Sequence, residues 1–463
     1  MFFNEAEDLA KGKDIAEPEL EEVVINMYKR KKTKGKRESD LAGFDVQIMS
    51  HELTDEELLR EFPNGYKRLP DEIYKKLEFH PATFEVIEHH LCVYKDVKGT
   101  KVVKAEHPKE LLNNSIATPS LVSAIINAKY VNAVPLYRQE QEFERNDVHL
   151  SRQVMANWMI KSAERYLSLV YDRLRAEIIS MPIVHADETP VMVSKDGREG
   201  MHKSYMWVYR TGSLNNTNTA VIYEYQKTRK KDAPEKFLKG FSGKLVCDGY
   251  KVYHSLEKDA EFTVAGCWTH ARRYYADVIK ASATKPTDKA IATKAINIIA
   301  KIYQEENKLK DKSSDERLKL RQQHIKPLVE AYFACVREHE HNVLPKSATG
   351  KAFTYSLNQE KYLKTFLDDG DVPIDNNAVE QAIRPFCVGK KNWKLIDTVH
   401  GAKASAIIYS IVETAKANNL KPYEYLKHLL TEIPKHMDST NLNFIEALLP
   451  WSEQLPDACR KKK

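Results

Sequence analysis

Three acidic residues stand where carboxylates are costly. Asp187 ends the apolar run Ile183-Val-His-Ala-Asp187, Asp248 closes Lys244-Leu-Val-Cys-Asp248, and Glu380 follows Asp375-Asn-Asn early in a helical stretch. A charge in an apolar strand is tolerated only when something compensates it. Asp248 lies 61 residues beyond Asp187, and Glu380 lies 132 residues beyond Asp248. Carboxylates are hard oxygen ligands, and Mg²⁺ takes octahedral oxygen coordination with several waters retained. Two such ions about 4 Å apart can activate an attacking oxygen and stabilise the leaving one in a phosphodiester displacement. The chemistry expected is therefore metal-assisted phosphoryl transfer, with Asp187, Asp248 and Glu380 as both catalytic groups and metal ligands. Plainer roles compete. Asp187 could bind local backbone, Asp248 before Gly249 could open a turn, and Glu380 could complete a capping box with Asn377 or pair with Arg384.

Cations gather near these acids. His270, Arg272 and Arg273 in Cys267-Trp-Thr-His-Ala-Arg-Arg-Tyr-Tyr275 follow a strand and open a helix, a position suited to phosphate contacts. Lys390, Lys391 and Trp393 are expected in one loop after the Glu380 helix, suited to DNA backbone and base contacts. Trp268 is assigned to the core. His270-x-x-Arg273 followed by Tyr274 and Tyr275 also offers a tyrosine nucleophile, as in tyrosine recombinases. A Tyr beside its own activating Arg points to another helix face, so the carboxylate reading ranks first.

Several elements must position these groups. Met181–Tyr225 reads as strands, with a kink at Pro190 and turns at 197–200 and from Gly212. Lys227–Leu238 reads as helix, and 244–248 and 262–268 as short buried strands. Such alternation indicates a buried mixed or parallel sheet, whose ligands gather at the carboxyl ends of strands. Residues 280–345 look like a helical insertion. The last unit, 351–430, is mostly helical, with helices over 377–384, 401–418 and 422–430. Upstream, Ser120 and Ser151 are expected to cap two helices with a polar turn, 136–150, between them. That pair reads as a hairpin or a helix-turn-helix with Arg152–Trp158 facing bases. Phe84–Glu88 and Cys92–Tyr94 read as small strands. Residues 1–45 are charged and carry Lys29–Arg37, seven cations in nine residues, a candidate phosphate-binding arm.

Composition narrows the class. The 463 residues imply roughly three structural units. A 42% apolar content excludes a disordered chain. The net charge of +6 is too small to argue for nucleic acid without local clustering. Six cysteines without a C-x-x-C pair argue against a disulfide scaffold or a zinc ribbon. No signal peptide or membrane span is visible, so a cytoplasmic location is expected.

The motifs, taken in order, resemble one family. His185-Ala-Asp-Glu-Thr-Pro190, Cys247-Asp-Gly-Tyr250, Cys267-Trp-Thr-His-Ala-Arg-Arg273, Asp375-Asn-Asn-Ala-Val-Glu380 with Arg384-Pro, and Gly389-Lys-Lys-Asn-Trp393 are similar to the transposases of bacterial insertion-sequence-66 elements. Pro135-Leu-Tyr-Arg-Gln139, Ser410-Ile-Val-Glu-Thr-Ala-Lys416, Pro422-Tyr-Glu-Tyr-Leu426 and Leu448-Leu-Pro-Trp451 extend the likeness over about residues 115–451. The resemblance implies an RNase H-like DDE domain at 179–430, interrupted by a helical insertion at 281–345, and a helix-turn-helix-like DNA-binding region at 111–178. It also implies a small N-terminal module at 46–110; composition alone marks 1–45 as a flexible basic segment, and 431–463 is left as a C-terminal tail. It places the family's acids on Asp187, Asp248 and Glu380. Two Mg²⁺ ions, replaceable by Mn²⁺, cleavage at element ends and joining of the 3′-hydroxyl to target DNA are its implied chemistry. Its implied partners are double-stranded DNA, further copies of the chain and accessory transposition proteins, on the nucleoid. The chain departs from the pattern in its N-terminal module. There Phe62-Pro-Asn-Gly65 and Tyr94-Lys-Asp-Val97 stand near the family's two cysteine pairs, so no zinc is expected. Family members carry a helical, coiled-coil-like segment ahead of Phe2-Phe-Asn-Glu-Ala-Glu, and its absence implies a shortened version. The competing expectation is a non-catalytic DNA-binding relative or truncated regulator.

Overall fold

The computed structural model describes residues 46, 48, 54–64, 67, 70, 83–95, 102–106 and 108–462, apart from gaps at 201, 213–217 and 281–285. The basic run, the 1–45 segment, parts of the 46–110 module and the turn after Gly212 lie outside the described residues. The chain divides into a unit ending at His90 and a larger one from Leu91. In the first, Thr54 caps the helix Asp55–Glu61: the Thr54 N–H donates to Glu57 Oε2 at 2.8 Å and the Glu57 N–H to Thr54 Oγ1 at 3.4 Å. Phe84–Glu88 is extended but not a strand, with Val86 96% exposed.

The larger unit opens with a short hairpin, β1 (Val93–Lys95) and β2 (Val102–Lys104). Next come α1 (Pro119–Ile126), α2 (Leu136–Arg145), α3 (Arg152–Ser162) and α4 (Ser168–Ser180). Thr118, not Ser120, caps α1, because Pro119 takes the first helical position and leaves the Leu121 N–H for the Thr118 hydroxyl. Ser151 caps α3 as expected. The supposed polar turn is itself mostly helix. Pro135 starts α2, and buried Gln139 anchors it by donating to the Val134 carbonyl at 3.0 Å.

The main sheet is mixed. Its path is β5–β4–β3–β6–β7, made of β3 (Ile183–Lys195), β4 (Lys203–Thr211), β5 (Val221–Gln226), β6 (Lys244–Val246) and β7 (Thr263–Ala265). β3, β4 and β5 run antiparallel, while β6 and β7 run parallel to β3. A sixth strand, β8 (Ile396–Thr398), joins the far end of β3. β3 runs unbroken through Pro190, which sits between the residues paired with β6 and those paired with β8. That stretch has no strand on its outer side, so a residue without an N–H is tolerated there.

Helices α5 (Asp232–Phe237) and α6 (Lys251–Glu257) link the later strands, and α7 (Trp268–Lys280) follows β7. The insertion contains α8 (Pro286–Asn307), α9 (Ser314–Leu320), α10 (Lys326–Glu340) and α11 (Ala348–Asn358), and so extends past its expected end at 345. Its apolar faces close on Trp268, Tyr275 and Val278 of α7 in a second core. Buried Arg317 and Arg321 brace it, donating to the carbonyls of Gly370 and Phe366 at 2.7 and 2.8 Å. The chain then forms α12 (Asn377–Trp393), α13 (Val399–Ala417) and α14 (Pro422–Glu432). Helix α12 does not stop at Arg384. Pro385 costs a hydrogen bond, but the buried face Val379, Ile383, Phe386 and Gly389 continues at helical spacing. The C-terminal segment is packed: Lys421 donates its N–H to the Cys459 carbonyl at 2.7 Å, and Tyr425 its hydroxyl to Leu448 at 2.7 Å.

Candidate active site

Strand register brings the first two acids level. Ile183, Val184 and His185 pair with Lys244, Leu245 and Val246 in parallel. Extended two residues past β6, that register sets Asp248 opposite Asp187 and on the same face, because side chains alternate with period two. The 61-residue spacing equals the register offset. Asp187 Oδ1 accepts the Glu188 N–H at 2.8 Å, and Asp248 Oδ1 accepts the Tyr250 N–H at 2.9 Å. Both plainer roles are thus filled by one oxygen of each carboxylate.

Helix α12 delivers Glu380. Its N-cap is Asn376, whose side chain is used elsewhere, so Glu380 falls one position late for a capping box. The Asn376 amide donates to the Ala186 carbonyl at 2.9 Å, and its oxygen accepts from His185 Nδ1 at 2.7 Å. The Asn376 N–H reaches Cys267 Sγ at 3.2 Å. One residue thereby ties the start of α12 to β3 and to the segment after β7. Burial pushes His185 down to about 4, so it is neutral, and its bond to Asn376 fixes the proton on Nδ1. The imidazole packs against Gly212, where a Cβ would meet its Cδ2 at 1.9 Å. Asp375 holds the next layer, accepting from Asn377 Nδ2 at 2.8 Å and from the Tyr303 hydroxyl of α8 at 3.1 Å.

Electrostatics link the three acids. The Asp187 carboxyl is pushed up to about 7, first by burial, then by the charge of Glu188, and further by Asp248 and Glu380, against the Glu188 N–H. Glu380 Oε1 is buried with no hydrogen-bond partner. Its ion partners come from the first two turns of α7: His270 Nδ1 lies 3.6 Å from Oε1 and Arg273 3.6 Å from Oε2. Burial lowers the His270 pKa while Glu380 works to raise it. A group of carboxyl oxygens short of positive charge suits a hard divalent cation. Among the described residues, the one trio with donor atoms all within 4.8 Å of one another is Cys267, His270 and Glu380. The three carboxylates therefore spread more widely than the cage of a single ion.

The remaining expected contacts divide. Arg272 is exposed on α7 and Lys391 on α12. Lys390 is not in a loop: it lies on α12 and donates to Thr189 Oγ1 at 2.8 Å and to the Pro190 carbonyl at 2.7 Å. Trp393 ends the same helix and packs edge-on to Tyr130 at 6.4 Å, with Lys129 over its ring at 5.4 Å. Gly389 makes room for it, since a Cβ there would meet the indole at 2.4 Å. Trp158 and Met155 of α3 are buried, so that face of the stretch offers nothing to bases. Tyr275 is buried and hydrogen-bonded to Ser356 Oγ at 2.9 Å, and Tyr274 lies tilted against Tyr355 with ring centroids 4.6 Å apart.

Sequence reasoning missed Glu188. Its side chain is 2% exposed and bound by Arg229 Nε at 2.7 Å and the Tyr253 hydroxyl at 3.0 Å. Arg229 lies over the Tyr250 ring at 3.8 Å. A charge beside Asp187 in the same apolar run was the available signal. Asn376 was visible only as part of Asp375-Asn-Asn.

A mixed sheet flanked by helices, with acids converging at the carboxyl end of its parallel strands, defines a class of α/β protein with a buried acidic centre. Comparison with known proteins narrows the class. Residues 114–404 match the family model described as Transposase IS66 family, and residues 410–451 match that of the IS66 C-terminal element. Two proteins of Sinorhizobium fredii are similar: uncharacterized protein y4qI, 31% identical over 83% of this chain and 71% of its own length, and uncharacterized protein y4jD, 30% identical over 76% and 69%. The chain belongs to the IS66 family of transposases.

Proposed function

We propose that this chain is a DDE-type transposase whose sheet and flanking helices form an RNase H-like catalytic domain. Asp187, Asp248 and Glu380 are its catalytic acids and would together hold two Mg²⁺ ions, for which Mn²⁺ substitutes. The observation that carries this reading is the β3–β6 register that sets Asp248 level with Asp187, with α12 and its Glu380 tied to β3 by Asn376. Divalent cations, when bound, would supply the nucleophile activation and leaving-group neutralisation that phosphodiester displacement needs. The chain's own residues do the positioning. Asn376 fixes the start of α12 beside Asp187, and Arg229 keeps Glu188 turned to itself. His270 and Arg273 beside Glu380, with Arg272 next to them, offer a cationic edge to a DNA phosphate. Lys391 at the end of α12 is a further backbone contact, while Lys390 supports β3 and Trp393 packs on Tyr130 just after α1.

In this reading residues 111–178 hold DNA, residues 179–430 cut it, and the 431–463 segment braces α13 and α14. The partners are element ends and target DNA, further copies of the chain and accessory transposition proteins, in the cytoplasm on the nucleoid. No helix among the described residues is long and apolar enough to cross a membrane. Water attacks first at the element end, and the freed 3′-hydroxyl then attacks target DNA. The test is strand cleavage of end-containing duplex in Mg²⁺. D187A, D248A and E380A are each expected to lose at least about a hundredfold in rate. Equal rates in wild type and D187A would overturn the assignment. Salt-dependent binding by the wild type without Mg²⁺-dependent nicking would instead mark a DNA-binding relative.

A further inference from the structure

We propose that Cys267, His270 and Glu380 form a second binding site, sharing Glu380 with the acidic centre, for a thiophilic divalent ion of the Zn²⁺ class. Their ligand atoms all lie within 4.8 Å of one another. Cys267 leaves β7 and His270 stands three residues on, in the first turn of α7, so the Cys-x-x-His spacing sets sulfur and imidazole side by side. Glu380 approaches from α12.

Three observations favour an ion over a plain cluster. The Cys267 sulfur accepts the Asn376 N–H at 3.2 Å, a bond that favours the thiolate against the burial that pushes this thiol up to about 12. His270 Nδ1 and Glu380 Oε1 are both buried without a hydrogen-bond partner, and at 3.6 Å they are too far apart to satisfy each other. A bound ion would satisfy both. Arg273 already compensates the other carboxylate oxygen.

The donor set decides the ion. Thiolate with imidazole selects Zn²⁺, Co²⁺ or Cd²⁺ and disfavours Mg²⁺, which prefers oxygen alone. Three protein ligands leave a fourth position open. The zinc argued absent above belongs to the N-terminal module, far from these residues in sequence. One consequence rests on the reading of Glu380 as a catalytic acid: a thiophilic ion here takes that carboxylate away from Asp187 and Asp248. Such an ion is then an inhibitor of Mg²⁺-dependent cleavage.

The test uses the full chain without DNA, titrated with Co²⁺ and then with Zn²⁺. Wild type and D187A are both expected to show a thiolate-to-cobalt charge-transfer band that Zn²⁺ abolishes. C267S and H270A should lose that band and bind Zn²⁺ at least about tenfold more weakly. His270 is only half-buried, so H270A serves where C267S fails to fold. Absence of the band in wild type, or its persistence undiminished in H270A, overturns the proposal. The readout is optical and needs no cleavage. If D187A cleaves DNA like wild type while the band behaves as stated, the catalytic assignment falls and this site stands.

Discussion

Glu188 and Asp187 are adjacent in sequence and meet opposite circumstances. Glu188 is paired: Arg229 and Tyr253 take both of its oxygens. Asp187 has one backbone N–H and a surplus of neighbouring negative charge. Removing the Arg229 guanidinium would leave a carboxylate, 2% exposed, without a counter-charge. Arg229→Ala is therefore expected to cost about 2–3 kcal/mol in urea unfolding, toward the low end for a buried pair because Arg229 is partly exposed. The double variant E188Q/R229A should recover much of that loss, since the neutral amide still accepts from Tyr253. Equal destabilisation in the single and double variants would show that Arg229 acts by packing on Tyr250 and not by charge.

At the scale of elements, both edges of the sheet are closed by side chains. The free side of β5 meets α13, where Ser410 accepts the Tyr223 N–H at 2.8 Å and Thr414 accepts the Val221 N–H at 2.9 Å. Asn418, one turn further, donates to the Thr219 carbonyl at 2.6 Å. The four-residue spacing of Ser410, Thr414 and Asn418 puts all three on one helix face. At the other edge, Glu257 accepts the Val264 N–H at 2.8 Å and Thr365 donates to the Val264 carbonyl at 3.0 Å. An unpaired edge is a template for aggregation, and these contacts remove it. Thr414→Val keeps shape and loses the hydroxyl. It is expected to cost about 1–3 kcal/mol, because a buried N–H is left unsatisfied. Hydrogen exchange at Val221 should speed up with it, and an unchanged exchange rate would contradict the role given to Thr414.

On the scale of the whole molecule, the insertion is built into the fold. Trp268 is fully buried among Tyr332, Phe333 and Phe366, and its indole N–H donates to the Leu363 carbonyl at 2.8 Å. Tyr303 of α8 reaches Asp375 just ahead of the Glu380 helix. Excising residues 286–358 and joining the ends with a short linker would strip the cover from Trp268, Ala271, Tyr275 and Val278. An apolar face of that kind drives aggregation. The deletion is expected to be insoluble, or soluble without the near-ultraviolet dichroism of packed aromatics. A soluble product with an intact cooperative melt would show that the insertion is a detachable module.

The sequence by itself located strands near 183–193, 204–211, 219–225, 244–248 and 262–268, close to those the structure forms. Period-two apolar runs and carboxylates in apolar surroundings are local signals that survive without knowledge of partners. It misread what depends on distant contacts. The 136–150 stretch looked like a turn, although Gln139 and Pro135 make it helix. Lys390 and Trp393 looked free until β3 and Tyr130 were found against them. The levelling of Asp187 with Asp248 is a matter of β3–β6 register, and the arrival of Glu380 depends on Asn376 binding Ala186 and His185. Those are pairings between residues 61 and about 190 positions apart. Only chain folding can set them, because hydrogen bonds and burial act on spatial neighbours, and a linear pattern does not record which neighbours those will be.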